Sequence, residues 1–411
     1  MTIENTTSKK TATGKRPLRV LYSFPHTLGR PGISTAAFHQ VRSMIDAGFA
    51  VTVYCTSLAA DLDGAAGVVE TMVTRGRRIP HRAIGVRRAY GYHDRRTARE
   101  LATRPYAYDV VHGWPRGCIH TLRTAHRIGV PGLREVCSPH SRSACGLAEQ
   151  EAAACGIQLP RGHAHRGTTG HLQREDAEYD AASALLCPSD YVVQTFVEHG
   201  VAADRLVRHA YGYDPTRFFP TDLPRSPGRP FTMVFAGRGE PNKGLHYALR
   251  AWRDAGTPGE LLICGVIMPE YRASLGELLR LPGVRELGFV DDLGALFRSA
   301  DALVLPSVTE GSALVTLEAA ACGCVPVISD ACGAPTRHLV DGLVHRATNT
   351  AELVEHIKLL AEDPAMLTKL RQACLDVRGQ HTWDAAGVRL AEVYRTVARP
   401  RPPGLGATVA N

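Results

Sequence analysis

A chain of 411 residues is too long for one compact core and suits two α/β domains of roughly 150–200 residues each. Hydrophobic residues make up 44% of it and charged residues 21%, and no apolar run approaches the ~20 residues of a membrane span. These values exclude a membrane-embedded protein and predict a soluble one. The Thr/Ser/Lys-rich segment 1–16 has no apolar core, so a disordered tail and a cytoplasmic location are expected.

The first half of the chain alternates strand-like and helix-like segments. A strand over 18–23, a glycine turn over 29–32, a helix over 34–47 and a strand over 49–55 form a unit that builds a parallel sheet. Further short strands are predicted at 109–112, 132–137 and 184–187. This alternation predicts a Rossmann-like domain over 17–220.

A proline-rich segment at 221–230 (TDLPRSPGRP) reads as a linker between two domains. A second alternating series follows it and predicts another Rossmann-like domain over 231–382. Its strands are predicted at 231–236, 261–266, 284–290, 302–305 and 325–329. The remainder is a C-terminal helix at 383–398, which can cross back to the first domain, and a disordered tail at 399–411. The predicted fold class is α/β, with two doubly wound domains facing a central cleft.

The strongest functional signal lies at 306–327 (PSVTEGSALVTLEAAACGCVPV), where a buried strand runs into a loop and then a helix. Glu310 follows the carboxyl end of that strand, where open α/β sheets bind ligands, and Glu318 lies further along the helix. Four backbone N–H groups at the helix start form a site for an anion, those of Gly311, Ser312, Ala313 and Leu314. Two carboxylates flanking a phosphate site suit a nucleoside diphosphate sugar. The alternative is that Glu310 caps the helix and Glu318 faces solvent.

A second signal is the loop at 235–244 (FAGRGEPNKG), in which Arg238 and Lys243 follow a strand that ends at Gly237. Two cations at the carboxyl end of a strand suit a diphosphate, because each charge-assisted hydrogen bond contributes about 1.5–3 kcal/mol. The spacing is neither G-x-G-x-x-G nor G-x-x-x-x-G-K-[ST], which disfavours dinucleotide and P-loop sites. The alternative is a basic surface turn.

These segments resemble glycosyltransferase family 4, whose fold is GT-B. The resemblance rests on the loop at 235–244, on 288–329 and on 185–220, where Tyr211-Gly212-Tyr213-Asp214 takes the place of the family's usual "NGVD". It covers most of 185–345 and, more weakly, 18–56. It implies a retaining enzyme that depends on a nucleotide sugar.

The resemblance also implies a role for each matched residue. Gly237, Arg238 and Lys243 would hold the donor diphosphate, Glu310 the hydroxyls of the transferred sugar, Glu318 the ribose, Val290 the nucleobase, and Gly32 would face the phosphates across the cleft. A family histidine follows the strand after a G-x-P segment, and Gly129-Val130-Pro131 precedes His140 here. His140 is therefore the candidate catalytic histidine beside Glu310, with His112 as the alternative.

The sequence motifs predict that the protein needs no metal and no cofactor beyond the nucleotide-sugar co-substrate. Asp61-Leu62-Asp63 has the spacing of a metal-binding D-x-D motif but lies in an Ala/Gly-rich loop, so a turn or a helix start is predicted there. The histidines at 163, 165 and 171 have no acidic or Cys partners at ligand spacing. The eleven cysteines form no CxxC pair and are expected to be reduced and buried.

An arginine-rich stretch at 75–99 contributes much of the formal net charge of +8. Its nine arginines are Arg75, Arg77, Arg78, Arg82, Arg87, Arg88, Arg95, Arg96 and Arg99. A run of arginines of this kind is typical of a solvated face, of contact with an anionic membrane surface or of a site for a phosphorylated acceptor. Binding of nucleic acid is disfavoured, because aromatic residues are sparse in the stretch. Glycines and Pro80 predict that no amphipathic helix forms here.

The predicted function is transfer of a sugar from a nucleoside diphosphate donor, a UDP-hexose or UDP-N-acetylhexosamine, to a hydroxyl acceptor with retention. The acceptor would be lipid-phosphate-linked, a polysaccharide or a secondary metabolite, and the enzyme would be cytoplasmic or bound peripherally at the inner membrane face. The alternatives are a non-catalytic sugar-nucleotide binding module, an epimerase or a phosphorylase.

Overall fold

The computed structural model describes residues 16–80, 84–221 and 228–398. The two predicted tails, apart from residue 16, lie outside the described residues. So do residues 222–227 of the predicted linker and Arg82 of the arginine-rich stretch.

The first half of the chain forms a parallel sheet, with helices on its faces and a small antiparallel hairpin. Its strands are β1 (Arg19–Leu28), β2 (Ala50–Leu58), β3 (Gly67–Glu70), the hairpin strands β4 (Val73–Thr74) and β5 (Arg77–Arg78), β6 (Val110–Gly113), β7 (Gly132–Glu135), β8 (Ala184–Cys187) and β9 (Leu206–Arg208). Its helices are α1 (Ile33–Asp46), α2 (Val86–Thr103), α3 (Ile119–Arg127), α4 (Ser141–Ala154), α5 (Thr169–Ala181) and α6 (Asp190–Glu198), with a 3₁₀ turn at Ala203–Arg205. The sheet order is β3-β2-β1-β6-β7-β8-β9.

The second half repeats this architecture. Its strands are β10 (Phe231–Ala236), β11 (Gly259–Cys264), β12 (Val284–Gly288), β13 (Ala302–Leu305), β14 (Val325–Ser329) and β15 (Leu343–His345). Its helices are α7 (Leu245–Ala255), α8 (Pro269–Leu275), α9 (Leu293–Ser299), α10 (Leu314–Ala321), α11 (Thr350–Glu362), α12 (Pro364–Val377) and α13 (Trp383–Val397), with 3₁₀ turns at Pro241–Lys243, Gly276–Arg280, Asp330–Cys332 and Arg378–His381. The sheet order is β12-β11-β10-β13-β14-β15.

The strand order reverses direction once in each sheet. In the second sheet the reversal lies between β10 and β13, which pair in parallel with Met233 opposite Ala302. In the first it lies between β1 and β6. A crevice opens beyond the carboxyl ends of the strands at such a switch point, and ligands bind there. The predicted fold class of two doubly wound α/β domains is confirmed, and the loops at 237–244 and 306–313 leave the sheet side by side.

Helix α2 contradicts the prediction for the arginine-rich stretch. Residues Val86–Thr103 form one helix, with Gly91 buried inside it. An internal glycine costs a helix only about 1 kcal/mol relative to alanine, and packing of the buried face, which includes Tyr90 and Leu101, offsets that cost. Among the described residues, none of the helices combines the length and the apolar character that a membrane span requires.

Helix α13 packs against the first domain, although it follows the second domain in the chain. The Trp383 ring stacks on His39 at 4.9 Å between centroids, and the Tyr394 hydroxyl lies 2.5 Å from Nδ1 of His112. Leu390 is fully buried in the core that also contains β1 and α1. The chain thus crosses from one domain to the other at Thr382, where a β-bridge to Tyr213 fixes the crossing.

We predict that Leu390→Ala lowers the free energy of unfolding by about 2–5 kcal/mol, because it leaves a cavity in the core of the first domain. Chemical denaturation followed by circular dichroism measures the change. Val388→Ala is the matched control, since Val388 lies on the same helix with its side chain 61% exposed. An equal effect of both substitutions would mean that α13 does not dock as described.

Candidate functional site

The candidate site lies where the loops after β10 and β13 leave the second sheet. Gly244 has a φ of 71°, and a Cβ there would lie 2.0 Å from the carbonyl oxygen of Pro306. The amide of Val308 donates to the carbonyl of Asn242 at 2.9 Å. The two loops are therefore in backbone contact, and only glycine fits at position 244.

This contact brings together two residues that the sequence singled out separately. The Lys243 ammonium forms an ion pair with the Glu310 carboxylate, and the two side chains are 23% and 15% exposed. Burial lowers the pKa of Lys243 from its ordinary value, while Cys332 and Glu240 act in the opposite direction. A cation and an anion thus share a half-buried position at the switch point.

Arg238, the other predicted diphosphate ligand, is 76% exposed and pairs with Glu240 at 2.6 Å. Glu240 is buried, and Nε2 of His163 from the first domain lies 3.4 Å from the same carboxylate oxygen. Burial acts to raise the pKa of Glu240, but His163 and Arg238 together hold that pKa below its ordinary value. Sequence reasoning missed Glu240, although its place between the two cations in RGEPNK was a signal.

The start of α10 presents the predicted anion site, with one amide already occupied. The N–H of Ala313 donates to the carbonyl of Cys332 at 3.3 Å. The first amides of a helix have no partner within it. No hydrogen-bond partner is found for the amides of Leu314 and Val315 among the residues that the structure describes. A macrodipole of about half a unit charge adds to their attraction for an anion.

Gly311 lies directly against the first domain. A Cβ there would be 2.2 Å from the carbonyl oxygen of Cys137, and Ser189 Oγ donates to the Gly311 carbonyl at 2.7 Å. Ser312 is half-buried beside it. The segment at 137–138, which follows β7, therefore closes over the loop that carries Glu310, and a side chain at Gly311 would hold the domains apart.

Glu318 is the fifth residue of α10 and has no ion-pair partner among the described residues. Burial raises the pKa of its carboxyl to about 7, with Arg217 acting to lower it. With a pKa of about 7, the Glu318 carboxyl changes charge near neutral pH. A ligand hydroxyl that donates a hydrogen bond to it would favour the ionised form.

Val290, the predicted nucleobase contact, follows β12 and is half-buried against a hydrophobic cluster of the second domain. Two exposed apolar side chains lie at the same edge, Phe289 at 79% exposure and Val266, after β11, at 70%. Sequence reasoning missed both. Exposed apolar side chains at the carboxyl edge of a sheet suit the flat face of a base.

Gly32 is placed at the start of α1 with a φ of 95° and open space around it. The amides of Gly29 and Arg30 donate to Ser34 Oγ at 2.8 and 3.2 Å, which fixes the turn after β1. This turn lies at the switch point of the first sheet. The contacts described for it are all within the first domain.

His140 begins α4 and is 5% exposed. Its ring stacks on His199 at 3.8 Å between centroids and contacts Phe196. Burial and the neighbouring His199 lower its pKa to about 4, so the imidazole is neutral at neutral pH. It lies two residues beyond Ser138, which adjoins Gly311, but the described contacts of its ring are with the first domain. Its catalytic role stays a prediction.

His112 is fully buried in the core of the first domain. Its Nε2 lies 3.2 Å from Glu135, and its Nδ1 meets the Tyr394 hydroxyl of α13. Glu135 also accepts from Gln40 and Tyr211 at 3.0 and 2.7 Å. His112 thus belongs to a buried polar network that ties α13 to the first sheet.

The remaining candidate metal ligands have other partners. Asp63 lies in a turn, as predicted, and His163 is held by Glu240. Among the described residues, Glu151, Cys155 and His246 form the one cluster with metal-ligating side chains. Nε2 of His246 lies 2.8 Å from Glu151 and its Nδ1 2.6 Å from the Tyr271 hydroxyl. Each ring nitrogen of His246 therefore has a close polar neighbour, Glu151 on α4 and Tyr271 on α8.

Comparison with known proteins relates both halves of the chain to glycosyltransferases. Residues 31–217 match the model described as "Glycosyltransferase Family 4" and residues 230–363 the model described as "Glycosyl transferases group 1". D-inositol 3-phosphate glycosyltransferase 1 of Catenulispora acidiphila is 30% identical over 72% of this chain and 75% of its own length. A second such enzyme from that organism is 27% identical over 92% and 95%.

Solved structures share the fold at low identity. Sucrose-phosphate synthase from Thermosynechococcus elongatus superposes with a TM-score of 0.67 at 17% identity, covering 93% of this chain and 99% of its own. Anabaena HepE in complex with UDP superposes with a TM-score of 0.63 at 15% identity, covering 92% and 100%. Both halves of the chain match glycosyltransferase models, one relative is 30% identical over 75% of its own length, and the solved structures share the fold. The chain therefore belongs to glycosyltransferase family 4 and is a transferase of the GT-B type.

Proposed function

We propose that this enzyme transfers a hexose or N-acetylhexosamine from a UDP-sugar to an acceptor hydroxyl with retention of configuration. The observation that carries the proposal is the Lys243–Glu310 pair at the switch point of the second sheet. A donor that brings both a diphosphate and sugar hydroxyls offers each partner a new counterpart. The complexes of HepE with UDP and with UDP-glucose support the choice of base and sugar class.

The diphosphate would lie between Lys243, Arg238 and the amides at the start of α10. Negative charge grows on the diphosphate as the bond to the sugar breaks, and fixed cations and amides stabilise it there. Glu310, released from Lys243, would then accept hydrogen bonds from the sugar. Glu318 would accept from the ribose, and Val290 with Phe289 would contact the base.

Retention follows if the leaving phosphate oxygen takes the acceptor's proton on the face that the phosphate leaves. No protein carboxylate then acts as nucleophile. His140 would serve as a neutral group at the first-domain wall of the cleft, because its low pKa keeps it unprotonated. The contact of Gly311 with Cys137 supports a first-domain wall close to the proposed sugar position, where closure would exclude water.

No metal is required in this mechanism, since two cationic side chains and a helix start neutralise the diphosphate. Transfer should therefore persist in excess EDTA. Complete loss in EDTA that Mn²⁺ restores would contradict the proposal and would direct attention to Asp61 and Asp63.

The acceptor is proposed to carry phosphate. The names of two relatives support this, D-inositol 3-phosphate glycosyltransferase and an N-acetylgalactosaminyltransferase of Campylobacter jejuni that acts on a diphospho-undecaprenol substrate. A lipid-linked acceptor and peripheral contact with an anionic membrane stay predictions, within glycolipid, polysaccharide or secondary-metabolite synthesis.

The purified protein incubated with UDP-, GDP-, ADP- and dTDP-sugars tests the reaction class. Consumption of a UDP-sugar with release of UDP and a glycosylated product supports transfer. Conversion of the sugar without release of UDP would identify an epimerase, and binding without turnover of any donor or acceptor would identify a binding module.

We predict that Arg238→Ala and Lys243→Ala each lower turnover about 10²–10³-fold, the usual effect of removing one group that stabilises developing charge. Folding should hold, because Arg238 lies on a loop and Lys243 is the last residue of a short 3₁₀ turn. Arg280→Ala is the control, since Arg280 is an exposed cation on the same domain, 73% exposed. Near-normal turnover in both loop variants would contradict the donor-site assignment.

We predict that UDP affinity rises roughly tenfold between pH 6 and pH 8, because Glu318, with a pKa of about 7, accepts ribose hydroxyls best when ionised. Calorimetry with wild type and Glu318→Gln isolates the contribution of Glu318, since any pH dependence of affinity that persists in the variant belongs to the nucleotide's own phosphate.

The stability of the folded protein should change with pH in the opposite direction, falling as the pH rises. A raised pKa means stability that is present at acid pH and lost as pH rises through about 7, so Glu318→Gln should gain stability over wild type at pH 8 but not at pH 5. Identical pH profiles of the two proteins would refute the assignment.

A further inference from the structure

A groove of about 860 Å³ runs between α2 and α3 on the flank of the first domain. It is separate from the donor loops, which belong to the second sheet. Its lining consists of Tyr92, Arg95, Arg96, Ala98, Arg99, Ala102, His120, Arg123, Thr124 and Arg127. The sequence indicated the arginines of α2 but gave no reason to join them to those of α3, because only the packing of the two helices does so.

The groove concentrates positive charge without a counter-charge. Its lining holds five arginines, all exposed, and no carboxylate. Asp94 lies nearby but is buried, and it accepts the amides of His120 and Thr121 at 2.9 Å. Arg95, Arg99 and Arg123 have no acidic partner in the part of the chain that the structure describes. Like charges in such proximity repel, and a bound anion relieves that repulsion.

The spacing of the arginines suits phosphate groups. Arg95 and Arg99 are four residues apart on α2, as are Arg123 and Arg127 on α3, so each helix presents two cations about 6 Å apart along its axis. Packed helices lie about 8–10 Å apart, which leaves room for phosphoryl groups between the two rows. A guanidinium binds phosphate through two parallel hydrogen bonds.

We propose that this groove binds a ligand with several phosphate charges at a site distinct from the donor cleft. A soluble polyphosphorylated molecule and the headgroups of anionic phospholipids share this chemistry. The site does not depend on the proposed reaction, because its residues make none of the contacts assigned to the donor.

The test is calorimetric titration of sodium tripolyphosphate into the full-length protein, with the donor site saturated by UDP. If UDP does not bind, the same titration uses Lys243→Ala, so that failure of the donor assignment leaves this test intact. Wild type should bind, and Arg99→Glu/Arg123→Glu should bind at least about tenfold more weakly, because the variant removes two cations and puts two anions in their place. Thermal unfolding checks that the variant is folded.

The matched control is Arg87→Glu/Arg88→Glu, which makes the same charge change on exposed residues of α2 outside the groove. It should bind tripolyphosphate as wild type does. Equal weakening in both variants, or no binding by wild type, would overturn the proposal in favour of a diffuse basic surface.

Vesicles distinguish the two sources of phosphate. Cosedimentation uses vesicles of equal parts phosphatidylcholine and phosphatidylglycerol, with pure phosphatidylcholine as the uncharged control. Binding that the groove variant loses, the control variant keeps and tripolyphosphate competes away assigns the groove to lipid headgroups. Tripolyphosphate binding without such vesicle binding assigns it to a soluble ligand.

Discussion

The ion pair between Lys243 and Glu310 is the interaction on which the account of the site depends. It forms because Gly244 allows two loops from neighbouring central strands to touch through their backbones. Taking both charges partly out of water is costly, and their mutual attraction offsets that cost only while no better counter-charge is present. The proposed donor, with its diphosphate and sugar hydroxyls, would offer both residues a better counterpart. In this proposal the two charges of the pair satisfy each other until the donor binds.

The first domain also contacts the loops of this site. His163 lies against Glu240, which in turn holds Arg238, and Ser189 holds the carbonyl of Gly311. The conformation of the donor loops therefore depends on the position of the first domain, because any opening of the cleft would break these contacts. Helix α13, which follows the second domain but packs on the first, limits how the two domains can move. Closure and the order of the donor loops are coupled by this arrangement.

The sequence predicted the parts of this structure that depend on local pattern. Strands such as β10 and β13 were located to the residue, because short apolar runs bounded by turn residues are strong signals. The polar residues at their carboxyl ends followed from the same pattern, and the family resemblance added only the role of each. Helix α2 was not predicted, since packing rather than propensity stabilises it around Gly91. The engagement of the Ala313 amide, the role of Glu240 and the burial of His112 depend on contacts between segments distant in the chain, which pattern alone does not reveal.

A crystal structure of the protein with UDP tests the central claim most directly. The account predicts that the Lys243 ammonium leaves Glu310 and contacts the diphosphate, and that the amides of Leu314 and Val315 point at the same group. It also predicts that Glu318 contacts the ribose and that no metal bridges the phosphates. UDP bound elsewhere, or bound here through a metal with the Lys243–Glu310 pair intact, would contradict it.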